Sequence, residues 1–195
     1  MLASSSPRRK ELLDTLALDF DVEPGDVDES RHPNEPPGVY VERIAAEKAR
    51  AAAGVDRIVL AADTVVVHEG RVLGKPGHPE EARSMLRRLQ GDSHEVFTGV
   101  SVASWDDGPL VHTAVDVTEV SLLPMTDAEI EDYVSTGEPM DKAGAYALQE
   151  AGGRFVESVD GSPFTVIGLP IHLISRLISN AGADIRSFVR DSDQR

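Results

Sequence analysis

The chain has 195 residues, 41% of them hydrophobic, with 34 acidic side chains against 19 Lys and Arg and a formal charge of −15. That length allows one domain, or two lobes sharing a core, and so acidic a surface argues against nucleic-acid or anionic-membrane partners, which need a basic face. No cysteine is present and the longest apolar run, 58–62, is far below the roughly 18 residues of a membrane span, so disulfides and thiolate chemistry are excluded and a soluble, cytoplasmic protein is expected.

Ser6-Pro7 predicts a helix start, serine as N-cap and proline at the first helical position, with Leu12, Leu13 and Leu16 as the buried stripe. A polar, proline-bearing connector over 24–38 leads to a second helix whose face carries Tyr40, Val41, Ile44, Ala45 and Ala52, stopped near Gly54. Residues 58–67 are β-branched and apolar apart from Asp63-Thr64, the pattern of a strand buried on both faces, and Glu69-Gly70 turns it into Val72-Leu73. A third helix is predicted over 79–89 from Ala82, Met85, Leu86 and Leu89. Strands at 96–105 and 110–122 are joined by Asp106-Asp107-Gly108-Pro109. Thr126 and Glu129 form a capping box for a helix ended by Gly137. Short strands near Phe155 and Val166, a last helix over 171–179 and a frayed polar tail over 184–195 complete the reading, which amounts to a mixed α/β chain with a mixed sheet.

The charge is unevenly placed. Residues 19–35 hold seven acids against one base and 106–160 hold thirteen against two, while the bases are fifteen Arg and four Lys. Such a surface suits concentrated salt, where self-repulsion is screened. Against it, Arg8, Arg9 and Lys10 open a helix at the end where the macrodipole disfavours cations. Either they form a solvated turn, or an anion offsets them, with Ser6, Arg8 and Arg9 as part of a phosphate cradle. Asp63 interrupts an apolar strand, so it either caps a loop or serves as a general base or magnesium ligand. Lys48 either snorkels from its helix or projects into a cleft. The other lysines, Lys75 after Gly74 and Lys142 in Asp141-Lys142-Ala143-Gly144-Ala145-Tyr146, lie in similarly unusual strings. The six histidines show no metal-binding spacing and read as surface or satisfied residues.

Five strings in order, Leu2-Ala3-Ser4-Ser5-Ser6-Pro7-Arg8-Arg9, Ala62-Asp63-Thr64-Val65, Gly74-Lys75-Pro76, Asp141 to Tyr146 with Gln149, and Gly168-Leu169-Pro170, resemble the Maf family of nucleoside triphosphate pyrophosphatases. The resemblance implies the elongated two-lobed fold of the inosine triphosphate pyrophosphatase superfamily, one domain over 1–195 with its site in the cleft between lobes. It further implies magnesium-dependent (or manganese-dependent) cleavage to a nucleoside monophosphate and pyrophosphate, and a homodimer. Asp63 matches the proton acceptor, and Arg8, Thr64 and Gln149 match base-selecting positions of the subgroup acting on dTTP and UTP. Ser6, Arg9, Lys48, Lys75 and Lys142 would bind substrate, and Glu29 would join Asp63 as a metal ligand. The family leaves two alternatives, a purine or 7-methylguanine triphosphate as substrate, or a non-catalytic nucleotide binder acting in cell division. Glu150 departs from the glycine usual after the glutamine, and the first strand is shortened to residues 1–4.

Overall fold

The structure is a computed structural model and describes residues 1–190. Six α-helices and five strands are arranged as α1 (Pro7–Thr15), α2 (Pro37–Ala52), β1 (Val59–His68), β2 (Arg71–Leu73), α3 (Pro79–Leu89), β3 (Ser93–Trp105), β4 (Pro109–Leu122), α4 (Asp127–Ser135), β5 (Val156–Asp160), α5 (Pro163–Ile167) and α6 (Ile171–Asn180). The strands form one sheet in the order β2-β1-β3-β4-β5. β1 pairs antiparallel with β2, and β4 with β5. Parallel pairing enters through Leu2, which bridges to Val22 and Leu60.

The chain divides into two compact units. The first comprises Met1–Asp63, Thr98–Val115 and Gly168–Arg195, and the second Thr64–Phe97 and Asp116–Ile167; β1, β3 and β4 each contribute residues to both. In the first unit Leu2, Leu13, Leu60, Val100, Leu169 and Ile174 build the core. α2 lies so near β3 that a Cβ on Gly99 would fall 2.3 Å from the Val41 carbonyl oxygen. Glycine is what lets helix and strand backbones touch there. In the second unit Val66, Leu86, Leu89, Val96, Ile130 and Tyr133 form a separate core.

Most predicted elements are present, including the reciprocal Thr126–Glu129 capping box. Three local expectations change. Residues around Val166 are helical, because Pro163 starts α5 and buried Thr165 donates to the Asp116 carboxylate. Ser6 precedes α1 but its side chain makes no capping bond, and Leu16 is exposed. The tail is built into the first unit as far as Arg190: Val189 bridges to Leu18, and the Arg190 guanidinium meets Asp14 at 2.7 Å. The remaining tail positions, 191–195, lie outside the described residues. Among the described residues no helix is long and apolar enough to cross a membrane.

The expectation of satisfied histidines fails at two positions. His68 and His94 are buried, and the Nδ1 atom of each is buried with no hydrogen-bond partner among the described residues. His68 Nε2 lies 3.0 Å from the Asp92 carboxylate and His94 Nε2 lies 2.8 Å from the Tyr146 hydroxyl. Burial, followed by the neighbouring His68, pulls the His94 pKa down to about 4, against a smaller opposing effect of Asp92. An unfolded chain would bind this proton from about pH 6.5 downward while the folded one refuses it until about 4, so stability falls with pH across that window. Glu35, held by Arg43 with its pKa down at about 2, extends the loss below the ordinary carboxylate range. Denaturant titrations of wild type and His94→Gln between pH 7 and 4 should show a shallower decline in the variant, and parallel declines would refute the assignment.

Candidate functional site

The first unit places an ion cluster on β1 and α2. Asp63, 7% exposed, points from a strand whose other residues are almost all apolar, and α2 aligns Lys48, 8% exposed, opposite it. The Lys48 Nζ lies 2.8 Å from Asp63 Oδ1 and 2.8 Å from Glu29 Oε1. Thus Lys48 supplies the cation that an interrupted apolar strand demands. Oδ2 of Asp63 has no hydrogen-bond partner among the described residues, so one carboxylate oxygen remains open to accept a proton.

Glu29 belongs to the connector that composition alone marks as a solvated acidic stretch. The structure pins that connector to α2. The Tyr40 hydroxyl donates to the Glu29 carbonyl at 2.8 Å, and burial, with the charges of Asp63 and Glu29, pushes its pKa up to about 12. Arg43 grips the Glu35 carboxylate through Nε at 2.7 Å and Nη2 at 2.9 Å, and Nη2 also donates to the Ser30 carbonyl. These residues were missed from sequence. The one available signal was an arginine on the same helix as Lys48, eight residues after an isolated glutamate.

The N-terminal cations separate in role. Arg9 Nε donates to the Gly168 carbonyl at 2.8 Å and its Nη1 to Ser4 Oγ at 3.0 Å, joining the first and last of the five strings. Desolvation lowers its pKa, while Asp63 and Glu29 pull in the opposite sense. Ser4 Oγ also accepts the Ser6 backbone N–H. Arg8 is half-buried one position earlier on α1.

The second unit holds the remaining candidates. Thr64 follows Asp63 on β1 and is half-buried; the pleat directs successive side chains to opposite faces. Lys142 is 6% exposed. Its Nζ meets the Glu138 carbonyl at 2.8 Å, Asp141 Oδ1 at 2.8 Å and Glu150 Oε1 at 3.3 Å. The Gly144 N–H donates to the Gly74 carbonyl at 3.1 Å, setting the Gly74-Lys75-Pro76 string beside the Lys142 string. Gly144 has φ +70, and a Cβ there would meet Val66 Cγ2 at 2.9 Å, so glycine is required on both counts. Lys75 and Gln149 are exposed, and neither has a hydrogen-bond or ion-pair partner among the described residues.

Glu138 is a further residue without a sequence signal. Its carboxylate accepts from the Tyr133 hydroxyl at 2.7 Å, the Gly152 N–H at 2.9 Å and the Ala151 N–H at 3.1 Å. It thereby fastens the segment following Gln149 to α4, and burial, followed by the hydrogen bond to Glu138 and its charge, raises the Tyr133 pKa.

A profile of the Maf-like protein family matches residues 1–181. The chain belongs to this family. Similar curated proteins are a dTTP/UTP pyrophosphatase of Anaeromyxobacter dehalogenans strain 2CP-C, 54% identical over 183 residues and 93% of each chain, and one of Moorella thermoacetica, 47% identical over 189 residues, 95% of this chain and 96% of the relative. A third, from Yersinia pestis, is 47% identical over 182 residues, 92% of this chain and 91% of its own. Within this Maf-like chain the five strings therefore resolve into two groups of contacts. Ser4, Arg9, Gly168, Lys48 and Asp63 lie in the first unit, and Lys75, Lys142 and Gln149 in the second.

Proposed function

We propose that the chain is a nucleoside triphosphate pyrophosphatase that hydrolyses dTTP and UTP to the nucleoside monophosphate and pyrophosphate, clearing such nucleotides from the cytoplasmic pool. The observation that carries the reading is the buried Asp63–Lys48 pair with one carboxylate oxygen left open. The curated relatives support the substrate class. In this reading Asp63 Oδ2 takes a proton as the water oxygen bonds to the α-phosphorus. The bond from the α-phosphorus to the α–β bridging oxygen breaks, and its electron pair leaves with pyrophosphate. Lys48 orients Asp63 through Oδ1 and, together with Arg8, offers positive charge to the developing phosphorane oxygens.

Asp63 and Glu29 converge on one ammonium, a two-carboxylate donor set of the kind that holds magnesium or manganese together with substrate phosphates and water. Among the described residues no group of three or more His, Asp or Glu could hold a metal. A bound divalent cation supplies neutralisation of phosphate charge. Arg9, with Ser4 and Ser6, fixes the loop at the start of α1, whose backbone N–H groups suit phosphate. Lys75 and Lys142 add cations, and Arg8, Thr64 and Gln149 select the base. A homodimer is part of the proposal, to be read from the molar mass in solution.

Pyrophosphate release should be measured on a panel of dTTP, UTP, dCTP, purine triphosphates and 7-methyl-GTP with magnesium, at low and at molar salt. The expected result is preference for dTTP and UTP and no loss of rate with salt, since the −15 body repels the substrate less when screened. Absence of turnover with every nucleotide, by folded protein, would refute the enzyme, and a purine or methylguanine preference would refute the base assignment.

A further inference from the structure

The structure shows where the Glu150 carboxylate goes. An ammonium has three N–H donors. In Lys142 two of them go to the Glu138 carbonyl and Asp141 Oδ1, and Glu150 Oε1 stands at 3.3 Å as an ion-pair partner. A nucleotide oxygen approaching this buried cation competes with Glu150 for the charge of the ammonium. The Glu138 carbonyl belongs to the backbone of a 3-10 turn, Glu138–Asp141, and Asp141 is the adjacent residue at 2.8 Å. Glu150 is the longest contact at 3.3 Å, its side chain is 42% exposed, and water is ready to solvate it on release.

The backbone around Glu150 is fixed while its side chain is not. Its carbonyl accepts the Gly153 N–H at 3.0 Å, and the next two backbone N–H groups are held by Glu138. Swinging the carboxylate away therefore needs a rotamer change only, a fast and local motion. The Glu150 carboxylate is a negative charge beside this ammonium, and it opposes a polyanion.

We propose that Glu150 is an affinity- and specificity-setting residue for the nucleotide: its carboxylate occupies Lys142 in the free enzyme and is displaced by an acceptor oxygen of the incoming nucleoside triphosphate. The proposal rests on the pyrophosphatase reading above. Glu150 tunes binding from outside the reacting atoms, so it shifts KM and leaves kcat in place.

The test is steady-state pyrophosphate release by wild type, Glu150→Gln, Glu150→Gly and Glu150→Asp with dTTP and magnesium. Glu150→Gln and Glu150→Gly should lower KM about 2–5-fold, the range set by a partly exposed ion pair, with kcat within twofold, and the gap should narrow as salt rises. Glu150→Asp should stay nearer wild type. In a Lys142→Gln background Glu150→Gln should have no effect on KM. An unchanged or raised KM in Glu150→Gln with wild-type turnover intact would overturn the proposal, as would the same KM drop in the Lys142→Gln background. Absence of turnover in wild type would instead overturn the pyrophosphatase reading, and the two failures are distinct.

Discussion

Replacing Asp63 by asparagine should lower the rate of pyrophosphate release about a thousandfold, the scale of a general base, while nucleotide still binds. The amide keeps the size of the carboxylate, and its oxygen can still accept from Lys48, which retains Glu29 at 2.8 Å. No ammonium is stranded, so the fold should survive. What is lost is the proton-accepting oxygen, Oδ2, left open because Lys48 engages Oδ1. Calorimetric titration with dTTP alongside the rate separates the two properties. A variant that turns over at the wild-type rate would refute the role of Asp63, and one that neither binds nor folds would show that the carboxylate serves chiefly to pair Lys48.

The second large effect is structural and reaches the same pair. Gly99→Ala would put a Cβ 2.3 Å from the Val41 carbonyl oxygen, 2.6 Å from its carbon and 2.9 Å from the Glu42 nitrogen. All three are backbone atoms of α2, so no side chain can yield and the helix itself must back away from β3. Overpacking of this kind costs roughly 3 kcal/mol, equivalent to about 6–12 °C in Tm for a chain this long. Because α2 also carries Lys48 and Tyr40, the retreat should loosen the contacts of Lys48 with Asp63 and Glu29. The expected result is a lowered Tm together with reduced kcat at temperatures where the variant is still folded. A Tm within a degree of wild type would contradict the backbone contact.

The elements legible in the sequence were those whose signal is local. Thr126 and Glu129, three residues apart, specify a helix start on their own, and the spacing of Ala82, Met85, Leu86 and Leu89 specifies the face that α3 buries. Val166 failed for the converse reason. A short β-branched run is compatible with strand or helix, and the carboxylate that holds its Thr165, Asp116, lies 49 residues before that threonine. The site divides along the same line. Asp63 and Lys48 could each be singled out as a charge in an apolar setting, but nothing in their 15-residue separation states that they meet. Arg9 and Gly168 are 159 residues apart, and only collinear resemblance linked their strings. Glu138, Tyr40 and Arg43 act by holding backbone, a role that residue type and spacing do not announce. Glu150 was visible as a departure, yet its meaning depended on the position of Lys142.

The division of the chain has a consequence for how the protein is made. The second unit, Thr64–Phe97 with Asp116–Ile167, is enclosed in sequence by the first, so its residues have all been synthesised while the first still lacks α6 and Gly168. Contacts of high sequence separation are slow to close, and domains condense as the chain emerges. Lys48 can find Asp63 early, because the two are near neighbours along the chain. Arg9 must wait for Gly168, and α1 is secured at its far end only when Val189 and Arg190 reach Leu18 and Asp14. A nascent chain that stops before residue 168 therefore carries every residue of the second unit and the Asp63–Lys48 pair, but no carbonyl to anchor Arg9.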